Sequence, residues 1–161
     1  MEKNNLIKYE RGLVQYVGNA VNITNKLVSV DLRPLKILYL DDHSVYTNGT
    51  SKCILEKYPN ANIEKIQDGN KALEYVTNSL QNKISLNLII TDHFHPGLSG
   101  LDFAKAVRIK EMEYDQTIPI LFITMHSDES FIQKVSEIPF TKFLSKSAWS
   151  EEIKLAINNL I

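Results

Sequence analysis

Asp41 and Asp42 stand side by side after the apolar run Lys36 to Leu40, Asp92 follows a run ending at Thr91, Thr124 closes another, and Lys146 follows a last one. Three carboxylates gathered in an apolar setting repel one another, and the arrangement becomes stable when a hard cation that prefers oxygen sits among them. Mg²⁺ is the natural occupant, because it takes near-octahedral oxygen coordination and keeps several waters. Such a site suits phosphoryl transfer, which is mostly positioning and charge stabilisation. Asp92 can supply the missing nucleophile by forming an acyl phosphate. Lys146 adds a mobile point charge that pairs with Asp92 before transfer and with the phosphoryl group afterwards. The Thr124 hydroxyl can donate to a phosphoryl oxygen, and its inward movement leaves a space for a nearby aromatic ring, for which Phe143 is the candidate.

These residues meet only if the elements before them are parallel strands. Short apolar runs at Lys36 to Leu40, Ala61 to Ile66, Leu86 to Thr91, Ile118 to Thr124 and Thr141 to Leu144 alternate with helix-like spacing. The helical stretches are Ser44 to Lys57, Asn70 to Leu80, Leu101 to Glu111, Asp128 to Val135 and Ala148 to Leu160. Alternation of this kind predicts an α/β fold, a flavodoxin-like doubly wound five-stranded parallel sheet of order 2-1-3-4-5. Ligands in such sheets bind beyond the carboxyl ends of the strands. In the last helical stretch Trp149, Ile153, Leu155, Ala156 and Leu160 are expected to supply apolar contact. Pro139 is expected to end the fourth helix early, with Phe140 enlarging the apolar surface beside the fifth strand.

The chain divides at Pro34 into an N-terminal helical extension, 1–34, and a domain, 35–161. In the extension Leu6, Leu13, Val17, Ala20 and Val21 recur at helical spacing, although Gly12 and Gly18 weaken it. A length of 161 residues leaves no room for a second catalytic domain. Lys plus Arg (18) nearly balances Asp plus Glu (19), so neither direct nucleic-acid binding nor membrane attraction is expected. A single cysteine, Cys53, and the lack of a long apolar run or signal peptide point to a reducing, cytoplasmic setting.

With the strand ends in place a resemblance emerges. ILYLDDH, LIITDHFHPGLSGLDF, ILFITMH and KFLSKS resemble, in order, the four motifs of response-regulator receiver domains of two-component signalling, and they span nearly all of residues 36 to 161. The DDH start, the Met-His after the threonine and the Lys-Ser followed by Glu-Glu are most similar to the NarL/FixJ type. The resemblance implies a CheY-like receiver, here a single domain without a DNA-binding output module, that assists only its own phosphorylation and dephosphorylation. It implies that Asp92 is the phospho-acceptor, that Mg²⁺ is bound by Asp41, Asp42, Asp92 and the Phe94 backbone carbonyl, and that Thr124, Lys146 and Phe143 serve phosphoryl binding and switching. It implies a sensor histidine kinase or histidine phosphotransfer protein as donor, an unknown downstream protein as target, and a homodimer as one option. Phe94 lies where family members tune loss of the phosphoryl group, and its bulk is expected to obstruct in-line water.

Several features depart from the family or allow another reading. Ser147 follows the lysine where proline is common, so a trans bond is expected there. Ser136 to Phe140 replaces the small residues and glycine usual in receivers. His43, His93, His95 and His126 all follow strands; a transition-metal site is one reading, and the pattern favours subfamily habit for His43 and His126 and exposed loop positions for the other two. Leu13 to Thr24 resembles the asparagine-bearing helix of sensor-kinase ATP-binding domains, but the glycine-rich boxes of that domain are missing. A rival of another class is a non-switching receiver-like scaffold that binds partners regardless of phosphate. A haloacid-dehalogenase-type phosphatase wants two aspartates one residue apart on the first strand, and Asp41 and Asp42 are adjacent.

Overall fold

Residues 34–161 are described by the computed structural model, and the helical extension expected over 1–34, with the similarity at Leu13 to Thr24, lies outside the described residues except for Pro34. Five strands, β1 (Lys36–Leu40), β2 (Asn62–Ile66), β3 (Leu88–Thr91), β4 (Ile120–Thr124) and β5 (Thr141–Ser145), alternate with five helices, α1 (Ser44–Lys57), α2 (Gly69–Gln81), α3 (Gly100–Glu111), α4 (Glu129–Ser136) and α5 (Ser150–Asn158). The strands form one parallel sheet in the order β2-β1-β3-β4-β5. This is the flavodoxin-like, CheY-like architecture that the alternating runs predict.

Both faces of the sheet are covered, which is why β1, β3 and β4 read as almost unbroken apolar runs. Side chains alternate along β1: Leu38 and Leu40 pack with Val76, Phe103 and Val107 from α2 and α3, whereas Ile37 and Tyr39 pack with Ile54, Ile153 and Ile157 from α1 and α5. Each fully buried aliphatic side chain of this kind contributes about 1.5–3 kcal/mol. A one-residue slip of β1 would exchange the two sets and leave neither layer matched.

Two of the strand starts fall two residues short of the apolar runs for reasons of hydrogen bonding. Ile118 gives its N–H to the Glu111 carboxylate at 2.6 Å and Pro119 has none to give, so β4 begins at Ile120. Lys36 N–H bonds the Asn87 side chain at 2.9 Å, pinning the approach to β3 before Leu88. Helix α5 starts at Ser150, the start that Ser150 followed by Glu152 and Ile153 suggests within the wider apolar stretch, and Glu152 accepts the Trp149 N–H at 2.7 Å there. The expected packing of α5 needs correcting in part. Ile153, Ala156 and Leu160 pack as expected and Ile157 joins them, whereas Trp149 and Leu155, also expected to pack, point into solvent. Helix α4 stops at Ser136, before Pro139, as expected. Phe140 adopts a left-handed φ of 53° and stands largely exposed at the entry to β5, at a position where glycine would be unstrained.

Candidate functional site

Backbone pairing at the carboxyl edge fixes the predicted residues in space. Asp41 N–H donates to Ile66 O at 3.1 Å, Asp92 N–H to Leu40 O at 2.9 Å and Lys146 N–H to Thr124 O at 3.0 Å, so each site residue prolongs the sheet ladder. Helix α3 then presses on the loop after β3. A Cβ at Gly100 would collide with the Asp92 carbonyl oxygen and sit 3.0 Å from His93 Cα, and the Gly100 N–H bonds His93 O at 2.9 Å. Gly97, with φ of 79°, makes the turn that brings α3 to this position.

Within this frame Lys146 Nζ lies 2.6 Å from Asp92 Oδ2 and 2.8 Å from Asp41 Oδ2, so one buried ammonium bridges two carboxylates distant in sequence. Asp92 Oδ2 accepts a hydrogen bond from Lys146, and Oδ1 accepts one from the His93 N–H. Asp41 Oδ1 accepts the His43 N–H at 2.8 Å, but Oδ2 has no hydrogen-bond partner among the described residues despite its closeness to Lys146. Its 2.8 Å approach to Lys146 Nζ is an ion pair. Asp42 is exposed, its Oδ1 2.9 Å from His43 Nδ1. The ligand atoms of Asp41, Asp42 and His43 fall within 4.8 Å of one another. Asp92 is not part of this grouping and is connected to it through Lys146. A buried carboxylate oxygen without a hydrogen-bond partner, next to a second carboxylate, fits a hard divalent cation with oxygen ligands. A groove of about 410 Å³ lined by Asp41, Ser44, Thr47, Lys65, Asp68 and Lys71 opens on this wall.

The charges are mutually supporting. Burial pushes the Asp92 carboxyl up, but hydrogen bonds from Lys146, Thr124 and the His93 N–H outweigh it and hold the group below the usual carboxylate range. Burial pulls Lys146 down, and Asp41 and Asp92 together raise it above an ordinary lysine. At neutral pH the pair is ionised.

The remaining candidates fall at varying depth. Thr124 is buried and its Oγ1 accepts the His126 N–H at 3.1 Å. Phe143 is half-buried against Phe131, the rings 6.2 Å apart, and it is Phe131 that packs on the imidazoles of His93 and His126, at 4.6 Å and 4.8 Å. The Phe94 ring, mostly exposed, leans on His93 at 4.5 Å and His126 at 5.2 Å, and among the described residues its carbonyl accepts no hydrogen bond. The reading of His93 and His95 as exposed loop residues is corrected. Both are half-buried, and His93 Nδ1 is enclosed without a partner among the described residues. Burial, followed by the neighbouring His126, lowers the His93 pKa. Among the described residues no grouping of metal-ligating atoms includes His93, His95 or His126. The Lys146–Ser147 bond is trans. The sequence reading missed Tyr46, whose ring centroid lies 4.6 Å from Lys146 Nζ.

The chain is similar to known proteins over most of its length. The family model described as "Response regulator receiver domain" matches residues 37–158. A two-component response regulator of Arabidopsis thaliana, ARR17, is 26% identical over 119 residues, covering 70% of this chain and 75% of that protein. The signal receiver domain of the putative response regulator NarL from Mycobacterium tuberculosis is 24% identical with a TM-score of 0.62, covering 78% of this chain and 94% of that one. The receiver domain of the histidine kinase CKI1 from Arabidopsis thaliana, solved with Mg²⁺, is 20% identical with a TM-score of 0.67, covering 79% of this chain and 92% of that one.

Proposed function

Because this chain belongs to the response regulator receiver domain family, we propose that it accepts a phosphoryl group on Asp92 in a Mg²⁺-dependent reaction and signals through phosphorylation-dependent protein contacts. The observation that carries this reading is the Lys146 bridge between Asp92 and Asp41, with one Asp41 oxygen left without a hydrogen-bond partner. Asp41, Asp42, Asp92 and the Phe94 carbonyl would hold the cation, which when bound neutralises charge between the carboxylates and an anionic donor. Asp92 attacks the phosphorus of a phosphohistidine on a sensor kinase or phosphotransfer protein. The new P–O bond replaces the P–N bond, and the imidazole leaves as neutral histidine after taking a proton from solvent. Lys146, already poised on Asp92, then pairs with a phosphoryl oxygen, and Thr124 donates its hydroxyl to another. The space it vacates is offered to Phe143, shifting an existing equilibrium in the surface formed by α4, β5 and α5. Phe94, over the loop imidazoles, restricts in-line water and lengthens the phosphorylated state. Output goes to a downstream protein or to a second copy of the chain.

Fluoroberyllate with Mg²⁺ tests the reading. Incorporation at Asp92, lost in Asp92→Asn and without Mg²⁺, is the expected result. A wild-type protein that binds no fluoroberyllate yet keeps its partners would instead be the non-switching scaffold.

A further inference from the structure

Lys146 is held from a direction that no carboxylate supplies. Its Nζ lies over the ring of Tyr46 with 4.6 Å to the centroid, inside the range in which an ammonium is attracted by the negative face of an aromatic system. Tyr46 comes from the first turn of α1, just after the Asp41-Asp42-His43 turn, while Lys146 follows β5. The contact therefore links the acidic turn to the lysine across the mouth of the site. The lysine side chain is only 2% exposed although among the described residues its ammonium has just two charged partners, Asp41 and Asp92. The Tyr46 ring helps close the remaining side, and its own outer part stays in solvent.

We propose that Tyr46 is a positioning residue for phosphoryl capture: its ring keeps the Lys146 ammonium over the site when Asp41 and Asp92 share their oxygens with a cation and an incoming phosphoryl group. This rests on the function proposed above. In the free protein two carboxylates hold Lys146 at 2.6 Å and 2.8 Å, and the ring is a third support. Once those oxygens are engaged elsewhere, their pull on the lysine weakens and the choice is between the site and water. A flexible four-carbon stem does not decide that by itself. An aromatic face does, because its attraction for the ammonium persists whatever the carboxylates bind. Exposure of Tyr46 makes this separable from folding, since a half-exposed residue on the first turn of a helix contributes little to the core.

Two replacements divide the ring's electrostatics from its bulk. Tyr46→Phe keeps the aromatic face, and Tyr46→Leu keeps apolar volume without it. NMR of the free protein gives a readout independent of phosphoryl chemistry: the Lys146 ε-methylene resonances should be shifted upfield by the ring in wild type and Tyr46→Phe, and should return to ordinary lysine values in Tyr46→Leu. Fluoroberyllate affinity in Mg²⁺ should be unchanged in Tyr46→Phe and weakened about three- to tenfold in Tyr46→Leu. Equal affinity in all three proteins, or a wild-type Lys146 without the upfield shift, overturns the inference. If wild type shows the shift but binds no fluoroberyllate, the phosphoryl reading fails, and the positioning role falls with it while the contact stands. If fluoroberyllate binds alike to wild type and Tyr46→Leu, that reading survives and only the role of Tyr46 is lost.

Discussion

At the carboxyl edge of the sheet Lys146 bridges Asp41 and Asp92 and one buried oxygen is left without a hydrogen bond, whereas at the amino edge Arg108 and Glu111 use nearly everything they have. Arg108 Nε donates to Pro139 O at 2.9 Å, its terminal nitrogens reach Ile118 O at 3.1 Å, and one of them pairs with the Glu111 carboxylate. The other Glu111 oxygen accepts the Ile118 N–H. This pair staples the end of α3 to the entries of β4 and β5. Both clusters bury charge beside the same sheet, yet one is complete and the other has spare capacity. A buried ion pair holds its fold when every donor and acceptor is matched; the shortfall at the carboxyl edge belongs to the site proposed above to take a cation.

The largest expected effect comes from breaking the complete cluster. Arg108→Met keeps the aliphatic stem but leaves the Glu111 carboxylate buried and unpaired, and should cost about 3 kcal/mol of unfolding free energy. Urea unfolding monitored by circular dichroism measures it as a lowered midpoint at constant slope. A loss below about 1 kcal/mol would mean that the two ends do not differ in the way described.

The opposite end should respond to a ligand instead. Mg²⁺ at ten times its dissociation constant should stabilise the wild-type protein by about 1.4 kcal/mol, and a chelator should reverse it. Arg108→Met should keep the full increment, because the amino edge takes no part in it. An increment that survives Asp41→Asn would place the cation elsewhere. Without Mg²⁺, Asp41→Asn should move stability by less than about 1 kcal/mol, since the amide oxygen can still accept the His43 N–H and the lost attraction to Lys146 is offset by relief of like-charge crowding.

The contrast also explains what was legible beforehand. Asp41, Asp92, Thr124 and Lys146 could be read because each ends or follows an apolar run, and in a parallel sheet all such positions meet at one edge. Sheet order and the covered faces followed from the same alternation. Arg108 and Glu111 could not be read: three residues apart on a helix they resemble an ordinary surface pair, and their partners are mainly backbone atoms of residues 118, 139 and 140, which residue type does not reveal. Trp149 was misread because a large apolar residue at helical spacing suggests packing, while the carboxylate of Glu152 starts the helix one residue beyond it. The burial of His93 escaped notice because it depends on where α4 lays Phe131.

The smallest expected effect separates charge from shape at the carboxyl edge. Asp92 has a folded-state pKa below its unfolded value, so its charge adds stability that is fully present above an unfolded pKa of about 4 and is lost as the pH falls through the lower, folded value. Lys146 runs the other way: its raised pKa adds stability that is present below the unfolded lysine value and is lost as the pH climbs through the folded one. Asp92→Asn removes the acid contribution and leaves Lys146 with Asp41 alone. In Mg²⁺-free buffer the difference in unfolding free energy between wild type and Asp92→Asn should therefore change in the variant's favour below about pH 4. Parallel curves down to the acid transition would show that Asp92 gains nothing from Lys146 in the folded state, and the carboxyl edge would then lack the charge coupling on which its contrast with the amino edge depends.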